Sequence, residues 1–421
     1  MMLILQNIRA VDPGANLDKV CDIVIEGCRI VKIAEAKTQN DSNAEVIDGT
    51  GLVAFPGLID MHCHLREPGL EYKEDIESGT KSARAGGFTG VACMPNTKPV
   101  VDNSAIVRAI TSRAKEVGSV KVYPIGAISK GLQGQELAEM GDMQEAGIVA
   151  VSDDGRPVSS SSLMKKAMMY AAQFNLPVIS HCEDLDLVDD GYMNEGYTAT
   201  VLGLRGNPWA SETNMVSREL ILAEYLNVPV HIAHVSAKLS VELIREAKAR
   251  GVQVTCETCP HYFTLTEEAV GNYDTNAKVN PPLRAKEDLE AIIAGLQDGT
   301  IDCIATDHAP HHVDEKRVEF AQAANGLVGF ETAFGLSYTY LVETGKLTLS
   351  QLVEKMSLNP GLILGVGTRL AEGECADITV VDLNQEYTVE VAKFLSKSKN
   401  SPYDGWKLKG RVVHTIVDGR I

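Results

Sequence analysis

The sequence has no apolar run long enough to cross a membrane, which takes roughly 20 consecutive apolar residues. Its first residues, Met1 to Arg9, carry neither the basic stretch nor the small-residue cleavage site of a secretory signal peptide. Such a start is typical of a β-strand. We therefore expect a protein with no membrane partner.

Positive charge is also scarce. The chain of 421 residues has 39 lysines and arginines against 57 aspartates and glutamates, a net charge of −18. Nucleic acids and anionic membranes bind clustered lysine and arginine, so this balance argues against both as partners. A small anionic substrate stays compatible with it, because one or two buried arginines can hold such a molecule locally.

Paired cysteine motifs are missing as well. The nine cysteines are odd in number and scattered, which in a chain of this length predicts reduced thiols and a cytoplasmic protein. Cys256 and Cys259 form a lone CxxC with no second one to accompany it. A redox or zinc role for this pair is the less favoured alternative.

What the sequence does contain is a series of short apolar runs separated by helical patterns. This order indicates a parallel sheet covered by helices on both faces, an α/β fold. Eight strand–helix units fit a closed (β/α)8 TIM barrel over residues 55–365, and an open doubly wound sheet is the alternative. The predicted strands are the run before His62 and residues 89–94, 121–126, 148–151, 177–180, 229–233, 253–256 and 302–305.

The two ends of the chain resemble each other and differ from the middle. Short β-rich runs alternate there with Gly, Asp and Asn turns, and residues 22–33 read as a hairpin turning near Glu26 and Gly27. Chain termini often lie close together in space. We therefore predict one small β-sandwich domain built from residues 1–54 and 366–421.

The motif His62-Cys63-His64 follows the first barrel strand. Side chains two residues apart on a strand point to the same face, so both imidazoles can reach one metal ion. Taken alone, the pair would more simply be two hydrogen-bonded core histidines. The other predicted strands decide against that reading, because several of them also end in metal-ligand residue types.

Active sites of such barrels lie at the carboxyl ends of the strands, where these side chains would converge. Imidazole and carboxylate suit zinc and similar divalent ions. An aspartate after a strand is also a common helix N-cap, which is the alternative for Asp153 and Asp154. We interpret His231, His261 and His414 as structural. The candidates at the strand ends are His62, His64, Asp153 or Asp154, His181, His234 and Asp307.

Five or six ligands are too many for one tetrahedral zinc and suit two neighbouring ions. Such a pair lowers the pKa of a bridging water and polarises the bond that this water attacks. The implied chemistry is hydrolysis of an amide-like carbonyl. Asp307 is suited to accept the proton of the water and return it to the leaving nitrogen.

These residues resemble the signature of the amidohydrolase superfamily, and nearly the whole chain resembles the class I dihydroorotase family. The HxH motif alone is weak evidence for the family. The motifs HLREPG, NPPLR and ATDHAPH together are specific for it. The resemblance rests on HCHLREPG at 62–69, MPNT at 94–97, SDDG at 152–155, SHCE at 180–183, AHVS at 233–236, NPPLR at 280–284 and ATDHAPH at 305–311.

The resemblance implies two zinc ions per subunit. It implies that His62, His64 and Asp307 bind one ion and that His181 and His234 bind the second. Asp154 aligns with the bridging carboxylate of the family, because it precedes His181 by 27 residues, and Asp153 is the alternative. Asp307 would also be the catalytic acid and base.

The resemblance also implies how the substrate is held. Arg66, Asn96 and His311 correspond to a grip on the substrate carboxylate, and Asn280 to a contact with the ring. An arginine fork fits a carboxylate with two parallel hydrogen bonds, and Arg66 lies two residues beyond His64. Further substrate contacts are expected from His64, Asn325 and Gly326.

Two positions depart from related patterns. Hydantoinases and other dihydroorotase classes bridge their metals with a carboxylated lysine at the end of strand four, where this chain has Ser152-Asp153-Asp154. This favours a class I dihydroorotase. Asn325 stands where the family usually has an apolar residue before Gly326. Residues 311–316 read as a polar loop able to close over the substrate.

The implied activity is the interconversion of N-carbamoyl-L-aspartate and L-dihydroorotate in pyrimidine synthesis. An allantoinase or dihydropyrimidinase is the first alternative, but a neutral ring needs no carboxylate grip. An inactive scaffold for aspartate transcarbamoylase is the second, but such homologues lose metal ligands, and this chain retains them. A homodimer and a complex with the transcarbamoylase are further expectations.

Overall fold

The computed structural model of the protein describes residues 2–39 and 41–421. Met1 and Asn40, which belong to the predicted terminal domain, lie outside the described residues. The strands are β1 (Met2–Asp12), β2 (Leu17–Glu26), β3 (Arg29–Glu35), β4 (Ala44–Asp48), β5 (Val53–Pro56), β6 (Leu58–Cys63), β7 (Phe88–Cys93), β8 (Lys121–Gly126), β9 (Ala150–Ser152), β10 (Val178–Ser180), β11 (Met193–Asn194), β12 (Gly206–Asn207), β13 (Val230–Ile232), β14 (Val254–Thr258), β15 (Cys303–Ile304), β16 (Ile378–Thr388) and β17 (Lys407–Ile416).

Helices follow most of the central strands. Two π-helical turns, Tyr338–Val342 and Glu354–Leu358, continue α12 and α13, and short 3-10 turns include Phe320–Gln322. Within residues 2–39 and 41–421, each helix is too short or too polar to span a lipid bilayer. The α-helices are α1 (Ile76–Ala85), α2 (Ser104–Val117), α3 (Met140–Ala146), α4 (Ser161–Ala172), α5 (Leu185–Val188), α6 (Tyr197–Leu202), α7 (Trp209–Leu226), α8 (Lys238–Ala249), α9 (Pro260–Thr264), α10 (Lys286–Asp298), α11 (Val313–Lys316), α12 (Phe330–Ser337), α13 (Leu349–Val353) and α14 (Asn359–Leu364).

The central sheet is a parallel barrel of eight strands in the order β6-β7-β8-β9-β10-β13-β14-β15. Each coincides with one of the eight predicted strands. The last strand returns to the first through a bridge between Cys63 and His308, where the His64 amide donates to the His308 carbonyl at 2.9 Å. This closing contact confirms the TIM barrel and excludes the open sheet.

A buried carboxylate supports that closure. Asp60, on β6, accepts hydrogen bonds from the backbone amide of Thr306 at 2.9 Å and from its hydroxyl at 2.6 Å. Burial raises the pKa of Asp60 to about 7, against the opposing effect of the two bonds from Thr306. The contact fixes Thr306, the residue before Asp307, beside β6, the strand that contains His62.

The terminal segments form one sheet in the order β17-β16-β5-β1-β2-β3, with β4 paired to β1. The first half of β1 pairs with β4 and its second half with β5. The sheet has a hydrophobic core of its own, which confirms a sheet domain built from both termini, and the predicted hairpin is β2–β3. That core contains Leu3, Leu5, Ile8, Ala10, Cys21, Ile23, Ile25, Ile30, Ala54, Leu370, Ala376, Ile378, Val380 and Ile416.

The segment predicted as a polar loop at 311–316 begins as a loop and ends as the short helix α11. His312 caps this helix, because its Nδ1 accepts from the amide of Asp314 and its own amide donates to Glu315. Glu315 also accepts from Lys73 at 2.8 Å. The segment is thus a helical turn fixed to the loop after β6.

Candidate active site

The structure brings the six predicted metal ligands together at the carboxyl ends of the barrel strands. His62 is the penultimate residue of β6, and the others stand one to three residues past the ends of β6, β9, β10, β13 and β15. All six are buried. The set comprises His62, His64, Asp154, His181, His234 and Asp307.

The first histidine pair faces both carboxylates. His62 Nε2 lies 3.3 Å from an Asp154 oxygen and 3.6 Å from an Asp307 oxygen. His64 Nε2 lies 3.2 Å from Asp307 and 3.6 Å from Asp154. Two imidazole nitrogens and two carboxylates therefore converge within the reach of one cation.

The second histidine pair also faces Asp154. His181 Nδ1 is 3.5 Å and His234 Nε2 is 3.6 Å from the same Asp154 oxygen, and the two nitrogens are 2.7 Å apart. Asp154 thus lies between all four histidines. A carboxylate in this position is suited to bridge two ions.

Asp153 faces away from this cluster. Its carboxylate accepts from the backbone amides of Ile128 at 2.8 Å and Ser129 at 3.0 Å, and from the Ser129 hydroxyl. Its oxygens are therefore used in holding the loop after β8. This geometry favours Asp154 over Asp153 as the bridging candidate.

Three further side chains orient the histidines. Glu257 accepts from His62 Nδ1 at 2.6 Å, Glu183 lies 3.3 Å from His181 Nε2, and Asn96 accepts from His64 Nδ1 at 2.9 Å. Each bond fixes a tautomer and turns the other ring nitrogen toward the cluster, an arrangement common around metal-binding histidines.

Sequence reasoning missed Glu257 and Glu183. Glu257 lies within the CxxC motif, which was interpreted only through its two cysteines. It nevertheless stands directly after a predicted strand, as most of the candidate ligands do. Its second oxygen lies 3.4 Å from His231 Nε2, so His231 supports the site rather than joining it. Both cysteines of the motif are buried, and burial raises the pKa of Cys256 to about 12.

We expect Glu257→Gln to weaken metal binding by about 10- to 100-fold, because the charge that orients and polarises His62 is lost. Competition with a chromophoric chelator measures this affinity. Glu331→Gln is the control, since Glu331 is a half-buried carboxylate that binds Ser82 and backbone amides elsewhere in the barrel. Equal metal affinity in Glu257→Gln and the wild type would contradict the orienting role.

The electrostatics of the cluster favour a cation. Burial alone would lower the pKa of His62, yet the charges of Asp154, Glu257 and Asp307 hold it well above its ordinary value. Burial likewise opposes protonation of His181, but hydrogen bonds to Asp154 and Glu183 raise its pKa to about 10. The surroundings therefore stabilise positive charge, which a metal ion supplies as well as a proton does.

The donor atoms fit a divalent ion. His62 Nε2 is buried and without a hydrogen-bond partner in the described chain. Ligand atoms of His62, His64 and Asp307 lie within 4.8 Å of one another, as do those of His62, Asp154 and His234. Nitrogen and carboxylate oxygen are the usual donors to zinc and related ions.

A group of cations lies beside the cluster. Arg66 Nε donates to the Pro310 carbonyl at 3.1 Å, and its Nη2 is 3.2 Å from His311 Nε2. Lys73 Nζ lies 3.3 Å from His311 Nδ1. Burial, together with the charges of Arg66, Lys73 and Lys316, keeps the pKa of His311 far below its ordinary value. Lys73 is paired with Glu315, whereas Arg66 has no carboxylate at ion-pair distance among the described residues, so Arg66 is the cation suited to bind an anion here.

Three site residues have left-handed backbone conformations that non-glycine residues rarely adopt. The φ angles are 63° at Arg66, 31° at His234 and 46° at Asp307. Such strain costs roughly 1–3 kcal/mol per residue and persists where surrounding contacts enforce it, often at functional sites. Here it turns side chains at three strand ends toward one point.

The remaining predicted substrate residues contact members of the cluster, Glu183 or His311. The Asn96 amide donates to Asp154 at 3.3 Å. Asn280 donates to Glu183 at 3.1 Å. The Asn325 carbonyl accepts from His311 Nε2 at 2.7 Å. Gly326 has a φ of 132°, and a Cβ there would meet the Ala309 Cβ at 2.5 Å.

Comparison with known proteins agrees with this geometry. The family model described as dihydro-orotase-like matches residues 51–240. A protein of Acetivibrio thermocellus named dihydroorotase is 61% identical over 98% of this chain and 96% of its own length. A second dihydroorotase, from Ruminiclostridium cellulolyticum, is 59% identical over 100% and 98%. The chain belongs to the dihydroorotase family.

The fold is shared more widely. An L-hydantoinase from Arthrobacter aurescens matches with a TM-score of 0.89 and 26% identity, over 99% of this chain and 95% of that one. A dihydropyrimidinase from Brevibacillus agri matches with a TM-score of 0.86 and 23% identity, over 100% and 94%, which shows the fold alone. As a member of the dihydroorotase family the protein is a cyclic amide hydrolase.

Proposed function

We propose that the protein interconverts L-dihydroorotate and N-carbamoyl-L-aspartate in pyrimidine biosynthesis, with two zinc ions per subunit. The observation that carries the proposal is the buried Arg66 beside the histidine–aspartate cluster, a cation with no carboxylate at ion-pair distance among the described residues. Dihydroorotate has a carboxylate next to a cyclic amide. An anion site beside a hydrolytic centre is the arrangement that this molecule needs.

The divalent ions would be held by His62, His64, Asp154, His181, His234 and Asp307. Bound there, they would supply Lewis-acid activation of water and of the amide carbonyl.

Asp307 supplies the proton transfers. Burial would raise its pKa, but the charge of His62 and the hydrogen bond from His64 hold it below the ordinary value. It is therefore a carboxylate at neutral pH and accepts a proton from the attacking water. During hydrolysis the ring C–N bond breaks, and Asp307 returns that proton to the leaving nitrogen. Ring closure follows the reverse order.

Arg66 holds the substrate carboxylate. Nε donates to the Pro310 carbonyl, which fixes the plane of the guanidinium and leaves the two terminal nitrogens, Nη1 and Nη2, for the ligand. Burial lowers the pKa of Arg66 to about 10, so the group stays charged at neutral pH. Asn96 and His311 complete the grip, and Asn280, Asn325 and Gly326 enclose the ring.

We expect Arg66→Met to raise KM for L-dihydroorotate by about 10- to 100-fold, because a charge-assisted hydrogen bond contributes about 1.5–3 kcal/mol. The reduction in kcat should be smaller. Steady-state kinetics measure both, with Arg245→Met as the control, since Arg245 pairs with Asp298 on the outer helices. An unchanged KM would remove Arg66 from the carboxylate grip.

The experiment that tests the function is a substrate panel with the purified protein. L-dihydroorotate, dihydrouracil, hydantoin and allantoin are compared at equal concentration in the hydrolytic direction. We expect turnover of L-dihydroorotate to exceed that of the three rings without a carboxylate by orders of magnitude. Preference for a neutral ring would make the protein a sister amidohydrolase.

Cytoplasmic location follows in this proposal from the cysteines, all nine of which are free. A homodimer and a complex with aspartate transcarbamoylase remain predictions from the family resemblance. The domain boundaries at residues 54–55 and 365–366 also remain predictions, made from the strand patterns of the sequence.

A further inference from the structure

Residues 320–326, the segment between α11 and α12, pack directly against the proposed carboxylate site. The Asn325 carbonyl holds His311 at 2.7 Å. Gly326 approaches Ala309 so closely that a Cβ would not fit. A shift of this backbone by a fraction of an ångström would therefore move His311 relative to Arg66.

Two lysines bind the carbonyl groups of this segment. Lys278 Nζ donates to the carbonyls of Ala321 at 3.0 Å and Ala323 at 2.7 Å. Lys316 Nζ donates to those of Ala324 at 2.7 Å and Gly326 at 3.0 Å. Together with the bond from His311, five carbonyl groups between residues 321 and 326 are held by side chains.

Both lysines are buried, with 4% and 5% of their surfaces exposed. Lys278 Nζ lies 5.2 Å from the ring centre of Tyr192 and 5.5 Å from that of Phe320. Within the described residues neither ammonium has a carboxylate at ion-pair distance. Burial lowers the pKa of Lys278 to about 8, and burial with the nearby charge of Lys278 lowers that of Lys316 to about 7.

An unpaired buried ammonium is costly, and an apolar side chain of similar length would fill the same space without that cost. Packing alone therefore does not account for the two lysines. Their hydrogen bonds all end on one short segment, which fixes that segment against the site. The charge of Lys316 also contributes to the positive surroundings of His311.

We propose that Lys278 and Lys316 are positioning residues of the substrate-carboxylate site, which hold the backbone of 320–326 and through it keep His311 beside Arg66. This inference rests on the proposed function for the identity of the bound anion. The fixing of the segment itself does not depend on that identity.

The test compares Lys278→Met and Lys316→Met with Lys355→Met. Lys355 is an equally suitable buried lysine, 5% exposed, whose Nζ donates to the Ile301 carbonyl at 2.7 Å, before β15 and at the opposite end of the barrel. Any general effect of removing a buried ammonium should appear in all three variants. Only the first two should affect the segment and the site.

Hydrogen exchange followed by mass spectrometry reports on the segment without using activity. Two of its amides make backbone hydrogen bonds that slow exchange. The Ala324 amide donates to the backbone carbonyl of Glu315 at 3.1 Å, and the Gly326 amide donates to the backbone carbonyl of Lys278 at 2.8 Å. We expect exchange there to quicken by about tenfold or more in Lys278→Met and Lys316→Met, because local opening becomes easier. The exchange of the barrel strands should not change.

Kinetics connect the segment to the site. We expect KM for L-dihydroorotate to rise about tenfold in these two variants, with kcat within about threefold, because a weakened charge-assisted contact acts mainly on binding. Lys278→Gln and Lys316→Gln, which keep a neutral donor, should recover part of both effects. They also replace the methionine variants if those do not fold.

Unchanged exchange at 320–326 would overturn the proposal, as would faster exchange with an unchanged KM. If Lys355→Met changed exchange at 320–326 and KM as much as the other two variants do, Lys278 and Lys316 would have only a general structural role. If the wild type does not hydrolyse L-dihydroorotate, the proposed function fails separately. Exchange would then still decide whether the two lysines fix the segment.

Discussion

Replacing Asp307 by asparagine should lower the rate of L-dihydroorotate hydrolysis by about 10²- to 10⁴-fold, the usual contribution of a general acid–base group. Asparagine keeps the size of the side chain and one oxygen donor, so much of the bound metal should remain. The variant loses the group that accepts a proton from water and returns it to nitrogen. The loss should appear mainly in kcat.

The measurement is steady-state turnover in both directions, with the metal content of each preparation determined by elemental analysis. Asp302→Asn is the matched control, since Asp302 stands at the other end of β15 and pairs with Lys248 at 2.7 Å. Near-normal turnover in Asp307→Asn would remove this residue from proton transfer. If Asp307→Asn lost its metal along with its turnover, the main role of Asp307 would be to bind the metal.

The barrel was predictable because its signal is local and repeated. A buried parallel strand is mostly apolar, as at Phe88–Cys93, and a helix follows before the next strand, as α2 does there. The convergence of the candidate ligands was predictable because the carboxyl ends of such strands share one face of the barrel. Pattern alone thus brings His62 and His234 together across about 170 residues of sequence.

The choice between neighbouring residues was less accessible to the sequence. Asp153 and Asp154 are chemically identical, and only the amides of Ile128 and Ser129 show which carboxylate is already used. The closing contact of Asp60 with Thr306 is likewise a long-range pairing with no periodic signature.

Side chains that support the site from distant segments were also invisible in the sequence. Asn400, in the predicted terminal domain, accepts from the amide of His311 at 3.1 Å and donates to the Gly326 carbonyl at 3.0 Å. A single asparagine in a run of lysines and serines carries no signal of its own. Its contact depends on how the chain returns to the barrel after β16.

Removing the metal should abolish turnover of L-dihydroorotate, and zinc should restore it. The ligands offer only imidazole and carboxylate to the reacting centre, and neither activates a water molecule for amide attack as a Lewis acid does. The protein is dialysed against a strong chelator, its residual metal is measured, and zinc or magnesium is then added in small steps. Zinc should recover activity, and magnesium, which prefers all-oxygen octahedral sites, should not.

The same titration addresses the number of ions and their effect on stability. If both sites are needed, activity should rise until two equivalents of zinc are bound. Thermal unfolding should occur at lower temperature without metal, because a ligand at about 100 times its Kd stabilises the folded state by about 2.7 kcal/mol. Full turnover with well under one ion per chain would contradict the metal mechanism, whereas a plateau at one equivalent would contradict only the second ion.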